Sequence, residues 1–428
     1  MCCPRPSSKP AILTHILSTA LQKFCCIVLA TTSLIGDPHP GLAAEPATRS
    51  PAEFVTQSVG EDEILKPYSG SAVERRKRLA ERARSKYDLE FDLAGLQSYA
   101  PKQAVTGTIR FWGNNYVGDS GLAMRWQEGF SQFHPGIQFE WVLPTAAVAA
   151  PALYFGLADI GMNHELGFYD YLANVRILGF EPTGFSVVTG SYDVSGWQNS
   201  MAIIVNRDNP INRISMSQLD GVFGSQRAGG WLGTSWQPEF ARGSEGNIRH
   251  WGQLGLQGMW VDQAINTYGY SLRYATALEF SNRVLHASDK WNENLLAFGN
   301  YVSADGTRSL QAEQIMKRIE SDPFGIAYIR WQAEFAGRVK VLDLAEQDNG
   351  PFYEFSVGNL QSRKYPLWGD QLFWVNVKPG DRIDPKTAEF VRFVLSREGQ
   401  ELVQEDGKYL PLSADVSSEQ LARLEGLE

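Results

Sequence analysis

The stretch from Thr108 to Leu143 sets the architecture. Thr108–Trp112 is a short β-rich run that stops at Gly113. Residues 121–133 then carry Leu122, Trp126, Phe130 and Phe133 at helical spacing. His134-Pro135-Gly136 ends that helix, and Ile137–Leu143 resumes a strand. A strand–helix–strand unit of about 35 residues has the length of a parallel crossover. Met201–Val205 and Leu372–Val377 read as further strands, and Phe390–Asp406 as one late helix stopped by Gly407. Such alternation implies α/β layers. No internal repeat of fixed period is present.

The first residues stand apart. Arg5, Lys9 and Lys23 precede the apolar run Phe24–Gly36, and Gly41-Leu42-Ala43-Ala44 follows. The order basic, apolar, small reads as a secretory leader, residues 1–44, cleaved near Ala44, which predicts a periplasmic location. The apolar run is short for a bilayer core of ~30 Å. Cys2, Cys3, Cys25 and Cys26 all lie in this leader, so the mature chain is left without disulfides, thiolate metal ligands or a cysteine nucleophile. Without the leader the chain carries 36 basic against 47 acidic residues. That balance argues against nucleic acid as a partner, because phosphate backbones select basic surfaces. A small anion stays compatible with it, since a buried site sets its own field.

Residues 45–100 form a charged extension or linker. After a Pro/Ser/Thr/Glu-rich stretch, Ser71 with Glu74 has capping-box spacing. Through Lys86 the segment is strongly basic and thinly apolar, which predicts a solvated helix; contact with a membrane or an acidic partner is the functional alternative.

Five stretches taken in order resemble the phosphate-type periplasmic substrate-binding proteins of ABC importers. They are Gly107-Thr-Ile-Arg-Phe-Trp-Gly-Asn114-Asn115-Tyr116, with His134-Pro135-Gly136-Ile137 after it; Pro151–Glu165, containing Ala158-Asp159-Ile160-Gly161; Met201–Pro210, then Met216–Phe223; Ile248–Leu256, then Tyr268-Gly269; and Phe393–Gln400, ending in Tyr409-Leu410-Pro411-Leu412. The resemblance covers about 310 residues and implies a two-lobed α/β fold of type II, with two mixed sheets flanked by helices and two crossing hinge strands. The expected lobes are 101–198 with 352–415, and 199–351, followed by a tail at 416–428. The family places its ligand between the lobes, where hinge closure encloses it. Helix N-termini after the strand-ending loops suit an anion.

Carried over residue by residue, the resemblance implies a ligand set of Asn114, Asn115 and Tyr116 from the first loop, Thr145 from the second, Asn163 and His164 after the Ala-Asp-Ile-Gly strand, and Arg273 and Thr276 before an aromatic helix. His164 as a ligand would make binding pH-sensitive; as a structural residue it would cap a helix or bond a carbonyl. Several family hydroxyls and a close-approach glycine are replaced here, which opens the alternative of a different ligand, a small organic anion, in a sensor or interaction module. The resemblance implies a monomer that captures phosphate or a related oxyanion and delivers it to an inner-membrane ABC permease, with no cofactor and no catalysis. Gly118-Asp119-Ser120-Gly121 looks like a serine-hydrolase signature, but none of the histidines has a matching protease or esterase context. No His/Cys/Asp/Glu group has metal-ligand spacing.

Overall fold

A computed structural model of the protein describes residues 86–194, 197 and 200–428. The leader, and the charged segment as far as residue 85, lie outside the described residues. Strand β1 (Gly107–Gly113) buries Ile109, Phe111 and Gly113 on alternate positions, the period of a half-buried strand. Gly113 has φ +148°, and a Cβ there would meet the Met162 carbonyl at 2.0 Å, so only glycine lets β1 close on its neighbour. A short helix α1 (Asn115–Ser120) follows. It is separated by Gly121, in the left-handed region, from α2 (Leu122–Phe133), which buries Leu122, Ala123, Trp126 and Phe130. Strands β2 (Ile137–Val142), β3 (Ile160–Asn163) and β4 (Thr183–Thr189) complete this half, with helices α3 (Ala149–Tyr154) and α4 (Phe168–Leu178) between them.

The second half begins with β5 (Met201–Val205), buried at every position, and α5 (Met216–Phe223). It continues through β6 (Asn266–Tyr270), α6 (Ala275–Val284), β7 (Leu296–Phe298), α7 (Gln311–Ser321), β8 (Gly325–Arg330) and β9 (Lys340–Val341). Chain return gives β10 (Asp370–Val375), then helices α8 (Pro385–Leu395), α9 (Arg397–Asp406) and α10 (Ala414–Glu425).

Two five-stranded mixed sheets result, ordered β2-β1-β3-β10-β4 and β7-β6-β8-β5-β9. In the first, β1 runs parallel to β2 and β3, while β10 lies antiparallel between β3 and β4. In the second, β6 is parallel to β7 and β8, and β5 is antiparallel to β8 and β9. Each sheet has its own apolar core, one built around Phe111, Trp126, Phe130 and Phe390, the other around Phe223, Trp251, Phe280 and Tyr328. The chain passes between them twice, and the passages lie side by side: Met201 N–H donates to the Leu367 carbonyl (3.0 Å), and Gly190 N–H to that of Gly369. This is the two-lobed architecture with crossing connections that the motifs imply.

Three details depart from the sequence reading. The late helix is two: Ser396 caps the start of α9, its Oγ accepting from Gly399 N–H (3.3 Å) and donating to the Phe393 carbonyl (2.7 Å). Residues 416–428 are helical through Glu425 and contribute Val416, Leu421 and Leu424 to the first core. Leu360, Tyr365 and Leu367 pack in the second core, so the return to the first sheet lies nearer residue 368 than 352. The extension also joins the fold at its end. Tyr87 N–H donates to the Gly407 carbonyl (2.7 Å), and its phenol oxygen accepts from the N–H groups of Tyr192 (2.6 Å) and Asp193 (3.2 Å) in the first connection.

Trp126 is fully buried against α8 and α9, with its Nε1 donating to the Gly399 carbonyl (3.0 Å). Trp126→Ala is expected to cost about 3–5 kcal/mol of stability, measured as a lower denaturant midpoint at unchanged slope.

Candidate functional site

The loops at the ends of β1 and β3 converge. Asn114, buried at the end of β1, caps α1: its Oδ1 accepts from Tyr116 N–H (2.8 Å). Its Nδ2 donates to Gln371 Oε1 on β10 (3.0 Å) and lies 3.1 Å from His164 Nε2. Gln371 Nε2 in turn lies 2.6 Å from His164 Nδ1. Asn114, His164 and Gln371 thus close a buried, uncharged cycle, with the Tyr116 ring 6.5 Å from the imidazole and 6.3 Å from Trp197.

This cycle decides the role of His164. Amide nitrogens lie against both ring nitrogens, and a neutral imidazole can accept from only one of them. Burial, reinforced by the positive charge of Arg330 and opposed by an Asp370 backbone bond, pushes its pKa from 6.5 down to about 3. These bonds and that shift agree with the structural alternative for His164, a neutral ring that does not titrate near neutral pH.

The second lobe presents charge. Arg330, at the end of β8, donates from Nε to Thr276 Oγ1 (3.3 Å) and pairs through Nη2 with Glu279 Oε1 (2.6 Å). Thr276 and Glu279 are both buried and sit one turn apart on α6, whose first turn starts at Tyr274 without a side-chain cap. At the far end of α6, Arg283 Nε meets Glu165 Oε1 (2.5 Å), and Asn282 Nδ2 donates to the same carboxylate (3.1 Å). Glu165 follows His164, so these bonds bind the second lobe to the first. Charge and uncharged wall therefore adjoin: Arg330 is close enough to act on the His164 ring.

Asn114, His164 and Tyr116 are brought together, and Thr276 joins them through Arg330. The other expected contacts are occupied locally or turned outward. Asn115 Nδ2 donates to Asp119 (2.6 Å), and Asn163 Oδ1 accepts from His164 N–H (2.7 Å). Thr145 is exposed at the head of a short 3₁₀ turn, and Arg273 is exposed before Tyr274. Gln371, Arg330 and Glu279 were missed. A glutamine among the apolar residues of β10, and an arginine ending the run Gly-Ile-Ala-Tyr-Ile, were the available signals.

In the Gly-Asp-Ser-Gly run, Ser120 Oγ donates to the Val117 carbonyl (3.1 Å) and accepts from Leu122 N–H (3.2 Å), which makes it a helix-end residue. Among the described residues no group of three His, Cys, Asp or Glu side chains is placed to hold a metal, and no helix is long and apolar enough to cross a membrane.

A folded-state pKa below the unfolded one means that the unfolded chain takes up the proton first as pH falls. The stability contributed by neutral His164 is present above about 6.5 and is lost between there and about 3. His164 ring signals in NMR are expected to stay fixed between pH 5 and 8; a midpoint in that range would contradict the wall role.

No family model matches the chain. Its sequence is 26% identical over 330 residues to the phosphate-binding protein PstS of Pseudomonas aeruginosa, covering 77% of this chain and 90% of that protein, and equally so in two strains. Among solved structures, a possible phosphate binding protein from Planctomyces limnophilus is 16% identical, covering 76% of this chain and 99% of that one, with a TM-score of 0.42. An ABC-type phosphate transport receptor from Vibrio cholerae is 17% identical, covering 71% and 99%, also at 0.42. Over 330 aligned residues this chain is thus similar to a phosphate-binding protein, the same kind of protein that its ordered motifs resemble.

Proposed function

We propose that the protein is an exported solute receptor that captures phosphate or a related oxyanion between its lobes and presents it to an ABC permease. The lobes expected as 101–198 with 352–415, and 199–351, are taken with the return moved to about 368 and with 416–428 joined to the first lobe; the leader is taken as 1–44, and the working form as a monomer without enzymatic activity. One observation carries the reading: Arg330 and the Thr276 hydroxyl stand at the uncapped start of α6, opposite the Asn114–His164–Gln371 wall. The first N–H groups of a helix and its positive dipole end favour an anion, and a guanidinium beside them supplies charge-assisted bonds. Relatedness to the phosphate-binding protein of Pseudomonas aeruginosa across 90% of its length supports the same ligand class.

Within this reading Thr276 and Arg330 bind, Tyr116 and Asn114 wall the site, Arg273 stands at its rim, and Asn115, Thr145 and Asn163 reach the ligand only through a change of conformation. A hydrogen bond to a charged group contributes about 1.5–3 kcal/mol, or roughly ten- to a hundred-fold in affinity. Thr276→Val is expected to weaken phosphate binding by about ten-fold. The double variant Arg330→Gln with Glu279→Gln, which removes both charges together, should weaken it by about a hundred-fold or more. Titration calorimetry of the mature protein with phosphate, arsenate and sulfate tests this. Absence of phosphate heat, with no thermal shift at millimolar anion, would exclude the reading.

A further inference from the structure

A cavity of about 480 Å³ lies between the lobes at the flank of α6, far larger than a phosphate ion needs. Its walls include Phe168 and Gly167 of the first lobe, and Trp231, Tyr274, Leu278 and Ser281 of the second. It adjoins a second cavity of about 220 Å³ that shares Phe168, Trp231, Asn282 and Ala287 and continues to Leu372 and Trp374. The Phe168 and Trp231 rings stand 4.5 Å apart and form an aromatic corner. Trp374 closes the far side, its Nε1 donating to the His164 carbonyl (3.0 Å), so the space borders the wall of the anion site.

Helix periodicity links the two. Ala275, Leu278, Ser281 and Asn282 form one stripe of α6 and line the cavity. Thr276, Glu279 and Arg283 form the adjacent stripe and face Arg330 and Glu165. Both stripes start at the same uncapped first turn. Tyr274 and Ala275 of that turn line the cavity, and Thr276 beside them meets Arg330. Ser281 is a buried residue of the cavity wall. Arg273 adds a cation to the rim, and among the described residues it forms no ion pair. Asp289 is also on the rim, whereas the Asp170 carboxylate is taken by Gly167 N–H (2.9 Å). The loop closing the space holds His286, Ala287 and Asp289 at positive φ, a conformation kept only where the surroundings demand it.

We propose that this cavity receives the organic group of a phosphate monoester, aromatic or otherwise planar, whose phosphate sits at the start of α6. The inference rests on the anion-binding reading above and narrows its ligand class. Bare phosphate would leave the aromatic corner unused, whereas a planar group would cover Phe168 and Trp231.

Calorimetric titration of the mature full chain with inorganic phosphate and with phenyl phosphate tests the idea. Phenyl phosphate is expected to bind at least ten-fold tighter and to quench tryptophan fluorescence. Trp231→Leu and, separately, Phe168→Leu should each lower phenyl phosphate affinity about ten-fold more than phosphate affinity, and retained phosphate binding reports a folded chain. Phosphate binding as tight as phenyl phosphate, or tighter, overturns this inference and leaves the anion reading standing. Binding of neither compound overturns both.

Discussion

The arrangement of the lobes depends on the guanidinium of Arg283. It lies at the end of α6, pairs with Glu165 beside the first-lobe wall, donates to the Trp368 carbonyl and stacks 4.9 Å over the Trp368 ring. One side chain thereby ties together a second-lobe helix, a first-lobe loop and the returning connection. The pair is only partly buried, so removing one partner leaves the other charge partly solvated and costs less than the ~3–5 kcal/mol of a fully buried pair. The Arg363 guanidinium lies 5.2 Å from the same indole, so two cations hold Trp368 in place. The position of α6, and with it that of Thr276 and Glu279 against Arg330, is therefore tied to this clamp.

Other contacts extend the clamp along the same flank. Thr234 donates from N–H and Oγ1 to Glu181 Oε1, both at 2.6 Å, and Trp231 meets Phe168. At the crossing, Tyr87 takes two backbone N–H groups of the first connection while burial pushes its own pKa up to about 12, so the phenol stays protonated and neutral. Hinge motion spends its freedom in a few loop residues. Tyr87, which lies outside the expected lobes, accepts from Tyr192 and Asp193 and so ties the end of the 45–100 extension to that connection.

Much of this was legible in the chain. The alternation in 107–142 survives almost residue for residue, because Ile109 and Phe111 obey a period of two and Trp126 and Phe130 a period of 3.6. Gly407 ends α9 in the left-handed region, as a C-terminal glycine should. The break at Ser396 was hidden by continuous helical spacing, since one serine capping two residues early leaves the apolar pattern intact. The site was less readable. Motif position located Asn114, His164 and Thr276, but not what their side chains bond. The Asn114–His164–Gln371 cycle joins residues 50 and 207 positions from His164, and nothing local marks Gln371 as its third member. Arg330 was passed over because a charge at a strand end usually means solvent; here the strand ends in the cleft.

The charge pattern sets the terms on which a ligand is held. Arg330 is already paired with Glu279 and Arg283 with Glu165, and His164 is neutral, so an arriving dianion meets cations whose attraction is partly spent. What remains for it is a set of oriented donors at the start of α6, each contributing about 1.5–3 kcal/mol if well aligned. Burying an aromatic group of ~150 Å² at ~25 cal/mol per Å² contributes roughly 3–4 kcal/mol before ordering costs, as much as one or two of those donors. If an anion is held at that turn, as proposed, the apolar flank of α6 weighs as heavily as its polar tip in deciding which phosphate compound is retained.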